Sequence, residues 1–312
     1  MLKTTKPRNH PSALLAQAGF FLPGLLMLNL LLSSCRPASA PLPAVFTPTA
    51  PETTMTPTLA VEPAPTIHLP EPTPSEVVCA EPSGAIKTGV IETPLLPKPM
   101  RYNLYLPPCY SSETGRRYPV LYLLHGQNFD EGQWIRLGAT SSADRLIGAG
   151  EIPPLIIVMP YDYSYKQPTE YNFEQVFLEI LLPQIDQAYR TRAQAEARAV
   201  GGLSRGGAWA IHFGIRHPDL FGALGAHSPA VFYSDMDTMR LRLRDVDLNH
   251  FPRIFVDVGI DDTEYATALP FVNLLDEMNL PHEWHAYVGF HDEQYWSAHV
   301  EEYLRWYAAA WK

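Results

Sequence analysis

Gly202-Leu203-Ser204-Arg205-Gly206 follows Arg198-Ala199-Val200-Gly201 and precedes Gly207 to Arg216, where Ala208, Ile211 and Ile215 recur at helical spacing. The pentapeptide has the form G-x-S-x-G, and its surroundings read strand, tight turn, helix. In that context the pattern carries chemistry; elsewhere it is a glycine-rich turn with a spectator serine. Such a turn forces the serine backbone into a strained conformation, and glycines at 202 and 206 remove side chains that would collide there. Ser204 is then presented at the end of a sheet, beside a helix N-terminus that favours developing negative charge.

Outward from this turn, residues 77–312 read as an α/β domain. Ile91 and the alternation Arg101 to Leu106 predict a pair of N-terminal strands, antiparallel to each other. Val120 to Leu124 and Leu155 to Met159 are continuous apolar runs, as expected of strands buried on both faces, and Pro160 stops the second. Phe173, Val176, Phe177, Ile180 and Leu181 form a helical stripe that Pro183 kinks or splits. Further strands are expected near Ala223 to Ala226, Ile254 to Val258 and Trp284 to Val288. Helices are expected over about Thr267 to Met278 and Asp292 to Ala309. This alternation predicts a mostly parallel sheet covered by helices on both faces, with ligands bound outside the carboxyl ends of its strands.

The residues with chemical character all follow strands. Val120 to Leu124 ends in His125-Gly126-Gln127, Ile254 to Val258 in Gly259-Ile260-Asp261-Asp262, and the last strand in Gly289-Phe290-His291-Asp292. The order is Ser, Asp, His, that of α/β-hydrolases and not of the serine proteases. A serine hydroxyl needs a base within hydrogen-bond reach, and the base needs a third group to fix its tautomer. Ser204 is therefore the candidate nucleophile and His291 the candidate base. Asp261 and Asp262 both follow the right strand, whereas Asp257 lies within it and suits a structural role. Trp134, Tyr161, Asp162 and Tyr163 fall on loops at strand ends and are candidates to line a substrate pocket. His227 also follows a strand and is a further pocket candidate. His125 is expected to shape the loop around the oxyanion turn, and Trp296 to pack beneath His291. His282 and His285 would point to opposite faces of a strand, so no metal site is expected.

Taken together, Tyr118 to Gly126, Gly202 to Gly207, and Gly289 to Asp292 with Tyr295-Trp296 resemble the bacterial esterase D-like family over residues 85–312. That family includes feruloyl and acetyl-xylan esterases, S-formylglutathione hydrolases and mycolyltransferases. The resemblance implies an α/β-hydrolase fold and a cofactor-free serine carboxylic-ester hydrolase working through an acyl-enzyme. It places the acid three residues after the strand-end glycine, which selects Asp262. It implies an oxyanion hole made by the backbone N–H groups of Gln127 and Arg205. Family members usually carry methionine after the nucleophile, and this chain has Arg205. An acyltransferase of the mycolyltransferase kind, with a sugar hydroxyl as acceptor, is the alternative chemistry. A catalytically silent cell-surface binding module is the alternative class.

The N-terminus carries Lys3, Lys6 and Arg8 without acidic residues, then an apolar run ending in Leu32-Ser33-Ser34-Cys35. The run is short for a membrane span and suits a secretory leader. Its end resembles the lipobox of bacterial lipoproteins, which implies cleavage before Cys35 and lipidation of its thiol. An ordinary signal peptide or an uncleaved anchor is the alternative. Residues 1–34 are thus expected to be a leader, and residues 35–76 a lipidated cysteine followed by a Pro/Thr-rich linker. Such a linker prefers extended polyproline II and reaches on the order of 100 Å at about 3.1 Å per residue. The whole chain has 33 acidic against 23 basic residues, and the leader would remove only basic ones. That balance argues against nucleic acid or a polybasic membrane patch as partners. The expected partners are a small-molecule or polysaccharide ester and, through a lipid anchor, the membrane, outside the cytoplasm. Cys79 and Cys109 remain as an even pair in an oxidising compartment, expected as a disulfide, with two separate thiols as the alternative.

Overall fold

The computed structural model describes residues 81–311. Within them Ala85–Ile91 (β1) and Met100–Leu106 (β2) pair antiparallel, as their alternation predicts. Val120–Leu124 (β3) and Ile156–Pro160 (β4) are buried at every position. Arg198–Leu203 (β5), Ala223–His227 (β6), Arg253–Gly259 (β7) and Glu283–Tyr287 (β8) complete one eight-stranded sheet, ordered β1-β2-β4-β3-β5-β6-β7-β8. β2 runs antiparallel to β4, and every pairing from β4 to β8 is parallel. The carboxyl ends of the central strands therefore share one edge.

Helices cover both faces. Gln133–Arg136 (α1) and Ala139–Gly148 (α2) follow β3, and Phe173–Val176 (α3) and Leu182–Ala188 (α4) follow β4. Between α3 and α4 the ladder widens into a π turn over Phe177–Leu181. Pro183 explains it: without an N–H it cannot return a bond to the preceding turn. Arg205–Arg216 (α5), Tyr233–Leu243 (α6), Tyr265–Glu277 (α7) and Glu293–Ala308 (α8) complete the set. α1, α2 and α6 are absent from the sequence expectation. α2 buries mainly small residues, and α6 buries only Asp235, Met239 and Leu243, so neither shows a strong apolar stripe.

β3 shows why the sheet needs two layers. Val120, Tyr122 and Leu124 belong to a core with Phe173, Phe177, Trp209 and Phe213 on one face. Leu121 and Leu123 join Trp134, Phe255, Tyr303 and Tyr307 on the other. Cys109 follows β2 and is disulfide-bonded. Its expected partner Cys79, the leader, Cys35 and the linker lie outside the described residues.

On the α8 face, Tyr307 lies over two adjacent glycines, Gly201 of β5 and Gly225 of β6. A methyl group at either would sit 1.9 Å from its hydroxyl oxygen. Tyr307 is buried and bonded to His227 Nε2 at 3.0 Å, so it has nowhere to retreat. Gly225→Ala is expected to destabilise the fold by about 1–3 kcal/mol through overpacking. Urea denaturation checks this, and a change within about 0.5 kcal/mol of wild type would refute the packing argument.

Candidate active site

Ser204 joins β5 to α5 with φ 54° and ψ −120°, a left-handed backbone for a residue that has a Cβ. Such a conformation costs about 1–3 kcal/mol and persists only when its surroundings over-determine it. Here the Ser204 N–H donates to His227 O at 2.8 Å, and Ser204 O accepts from Ala208 and Ala230 N–H, both at 3.1 Å. The glycines of the motif are required by close approach. A Cβ on Gly206 would lie 2.1 Å from Leu124 O, and one on Gly202 would lie 2.3 Å from the Gly206 backbone.

Three loops bring polar side chains to this serine. Ser204 Oγ lies 2.9 Å from His291 Nε2, and His291 Nδ1 lies 2.8 Å from Asp262 Oδ1. Asp262 is buried, while Asp261 beside it is exposed. Burial pushes the Asp262 carboxyl up, but hydrogen bonds from His291 and from the Glu264 N–H at 2.7 Å outweigh it, and the net shift is downward. The loops that carry Asp262 and His291 are stitched together: Ile260 N–H donates to Tyr287 O at 2.8 Å, and Asp261 N–H to Gly289 O at 3.1 Å. Asp292 caps α8 by accepting Tyr295 N–H at 2.9 Å, which fixes the residue next to the histidine. Trp296 meets the His291 ring edge-on at 5.0 Å and donates its indole N–H to Ser228 Oγ at 3.1 Å, the packing role expected of it.

A cleft of about 480 Å³ opens over Ser204 and His291, walled by Gln127, Phe129, Glu293 and Trp296. Arg205 is the first residue of α5, so its N–H is among those a helix leaves without an intrahelical partner. Tyr161 and Tyr163 line a smaller recess of about 170 Å³ across the Gln127–Phe129 ridge. His125 is buried, donates from Nδ1 to Gly126 O at 2.7 Å and accepts Asp162 N–H at Nε2 at 2.9 Å, so it braces the turn after β3.

Two expected pocket residues belong elsewhere. Trp134 is 2% exposed and donates its indole N–H to Leu124 O at 2.9 Å, inside the core beneath β3. His227 is fully buried, stacks on Tyr303 at 3.6 Å and pairs with Asp257 Oδ1 at 2.6 Å. It ends β6 on the face covered by α8, where no ligand reaches. Gln133, which the sequence reading passed over, is buried and accepts Gly126 N–H at 2.8 Å. Asp162 is also buried and gathers Arg205, Trp209, Tyr171 and Ser164 around its carboxylate, so it serves the framework more than a ligand. Its position just past β4 was the signal that marked it.

Residues 93–309 match the model of the Esterase family. The chain belongs to that family. An endo-1,4-beta-xylanase/feruloyl esterase of Xylanibacter ruminicola is 36% identical over 141 residues, 42% of this chain and 19% of that protein. An esterase of Mycobacterium tuberculosis is 35% identical over 136 residues, 40% of this chain and 28% of its own length. The chain thus matches less than a third of either relative. Among solved structures, a ferulic acid esterase superposes with a TM-score of 0.66 at 25% identity, covering 74% of this chain and 99% of that one. An S-formylglutathione hydrolase of Staphylococcus aureus superposes with a TM-score of 0.59 at 20% identity, covering 72% and 96%. The fold is therefore that of the α/β-hydrolases.

The correction at Trp134 is testable. Trp134→Phe in this esterase removes the indole donor from the buried Leu124 carbonyl and is expected to cost about 1–3 kcal/mol of stability. KM should stay within about twofold of wild type, since the ring does not reach the cleft. A tenfold change in KM at unchanged stability would return Trp134 to the pocket.

Proposed function

We propose that this esterase is a serine carboxylic-ester hydrolase in which Ser204 is the nucleophile, His291 the general base and acid, and Asp262 the group that orients the histidine. The observation that carries the reading is the unbroken contact chain from Ser204 Oγ through His291 to Asp262 at the floor of the cleft. Ser204 Oγ attacks the ester carbonyl as its proton passes to His291 Nε2. The tetrahedral oxyanion is held by the N–H groups of Arg205 and Gln127. Collapse expels the alcohol, which takes the proton from His291 and leaves an acyl group on Ser204. Water then repeats the sequence and releases the acid. Asp262 accepts from Nδ1, keeps Nε2 bare to receive the proton, and stabilises the imidazolium that forms. Hydrogen bonds from His291 and from the Glu264 N–H hold its carboxyl below the usual carboxylate range, which favours the ionised acceptor this role needs.

The acyl portion is an aromatic acid of the ferulic type. Support comes from Phe129 and Trp296 on the cleft walls and from the feruloyl esterase names among the relatives. The place of action is outside the cytoplasmic membrane, with the domain tethered through a lipidated Cys35. That part rests on the leader and the Leu-Ser-Ser-Cys end of its apolar run. Cys35→Ser should move the enzyme from the membrane fraction to the soluble one or block its maturation, and unchanged membrane retention would refute the tether.

Two neighbouring acids test the catalytic assignment. Asp262→Asn should retain the geometry yet favour the wrong histidine tautomer, with a loss in turnover of about 10⁴-fold. Asp261→Asn, on an exposed side chain, should stay within about twofold. Ser204→Ala should remove turnover and labelling by a fluorophosphonate while leaving the thermal midpoint in place. Retained turnover in Ser204→Ala, or the reverse ranking of the two acids at equal stability, would overturn the assignment.

A further inference from the structure

The two amides assigned to the oxyanion lie on separate segments, Arg205 at the head of α5 and Gln127 on the turn after β3. Arg205 is fixed by its helix, but residues 127–130 are exposed. Something must hold the Gln127 N–H, because donors misplaced by about half an ångström lose their effect. The peptide joining Gly126 to Gln127 is planar and trans, so its C=O and N–H point in opposite directions. Whatever grips the Gly126 carbonyl therefore aims the Gln127 N–H. That carbonyl accepts His125 Nδ1–H at 2.7 Å and Phe129 N–H at 3.2 Å.

His125 can donate from Nδ1 while neutral only if Nε2 is bare. Asp162 ensures this by directing its backbone N–H at Nε2 at 2.9 Å. Burial also lowers the His125 ring below the ordinary histidine range, which favours the neutral form. Asp162 is in turn held by its carboxylate. Oδ2 accepts Arg205 Nε at 2.9 Å and Trp209 Nε1 at 2.7 Å, while Oδ1 accepts the Tyr171 hydroxyl and Ser164 N–H at 3.0 Å. A second arm of Arg205, Nη2, donates to Lys166 O at 2.7 Å. The Arg205 and Asp162 side chains are 6% and 5% exposed, so the pair is desolvated on both sides.

The path is closed: it leaves one amide-bearing residue, passes through Asp162 and His125, and ends at the other amide. We propose that the Arg205 side chain is a positioning residue that, through Asp162 and His125, fixes the Gln127 N–H relative to its own backbone N–H. The proposal rests on the oxyanion assignment above. Methionine, the residue the family resemblance leads one to expect here, could neither balance Asp162 nor reach Lys166 O. Of the four described donors to the Asp162 carboxylate, Arg205 alone carries a charge, and it also carries one of the two amides.

A purely structural brace and a positioning residue differ in what they move. Arg205→Met keeps the backbone amide but cuts the link. It should lower kcat by about 10- to 100-fold, less than the loss of an oxyanion donor outright, with KM within about twofold. Affinity for an alkyl boronic acid should fall by a similar factor. That probe adds Ser204 Oγ to boron as the serine proton moves to His291, giving a tetrahedral anion in the oxyanion position. Arg205→Met strands a buried carboxylate and can unfold the chain. The double variant Arg205→Met/Asp162→Asn, with both charges removed, carries the same test in a neutral framework. Lowered kcat and boronate affinity at preserved KM in the folded double variant is the expected result. A folded double variant with both within twofold of wild type overturns the inference, as does a change confined to KM. Either outcome, in an enzyme whose turnover still depends on Ser204, sinks this inference alone. Turnover independent of Ser204 sinks the catalytic reading itself.

Discussion

The carbonyl of Leu124, the last residue of β3, is the point about which the site is assembled. The Gly206 position lies so close that a Cβ there would sit 2.1 Å from that oxygen, which sets the depth at which α5 begins. The Trp134 indole donates to the same oxygen from the opposite layer at 2.9 Å. Core, the Ser204 turn and the turn after β3 are thereby referred to one atom, since His125 and Gly126 follow it directly. The left-handed backbone of Ser204 is stable because this close approach and the bonds from His227, Ala208 and Ala230 leave it no alternative.

A buried carboxylate governs the other half of the edge. Asp257 of β7 accepts His227 Nδ1–H at 2.6 Å and the hydroxyls of Tyr295 and Tyr303 at 2.7 and 2.8 Å. Burial, together with this carboxylate, pushes both phenols far above their ordinary range, so they remain donors. Two of these donors come from α8, the helix whose N-terminus follows His291. The base loop is thus located by a hydrogen-bonded carboxylate in the strand whose end supplies the acid loop. Asp257 and Asp262 are five residues apart on one segment with different surroundings, because one ends its bonds on buried donors of the core and the other on the half-buried His291 ring that reaches Ser204.

The strands and the serine turn were legible in the sequence because their causes are local. Continuous apolar runs mark strands covered on both faces, and glycines mark backbones that must touch. Ser204 and His291 were legible through their order and their positions after strands, Asp262 was separated from Asp261 only by the family resemblance, and the geometry brings the three into contact. Trp134 and His227 were misplaced because a position at a strand end does not say which layer the side chain enters. His227 stands beside Asp257 in the β6–β7 register, and that pairing, invisible in one dimension, turns it toward α8. α6 was missed because its buried positions include Asp235, which is paired with His212 across the layer and breaks the apolar pattern. The Arg205–Asp162 pair spans 43 residues, and no periodicity links its members.

The nucleophile thus sits between two buried carboxylates of different character. On the β4 side, Asp162 faces a guanidinium whose charge does not change at any working pH. On the β7 side, Asp262 accepts from the His291 imidazole, which stands between it and Ser204 Oγ. Exchanging the two partners would defeat both tasks. A histidine at 205 would make the oxyanion framework sensitive to pH, and an arginine at 291 could not accept a proton. In the proposed reaction the Arg205 pair holds geometry and the His291 pair moves charge, and the short turn at Ser204 is where the two requirements meet.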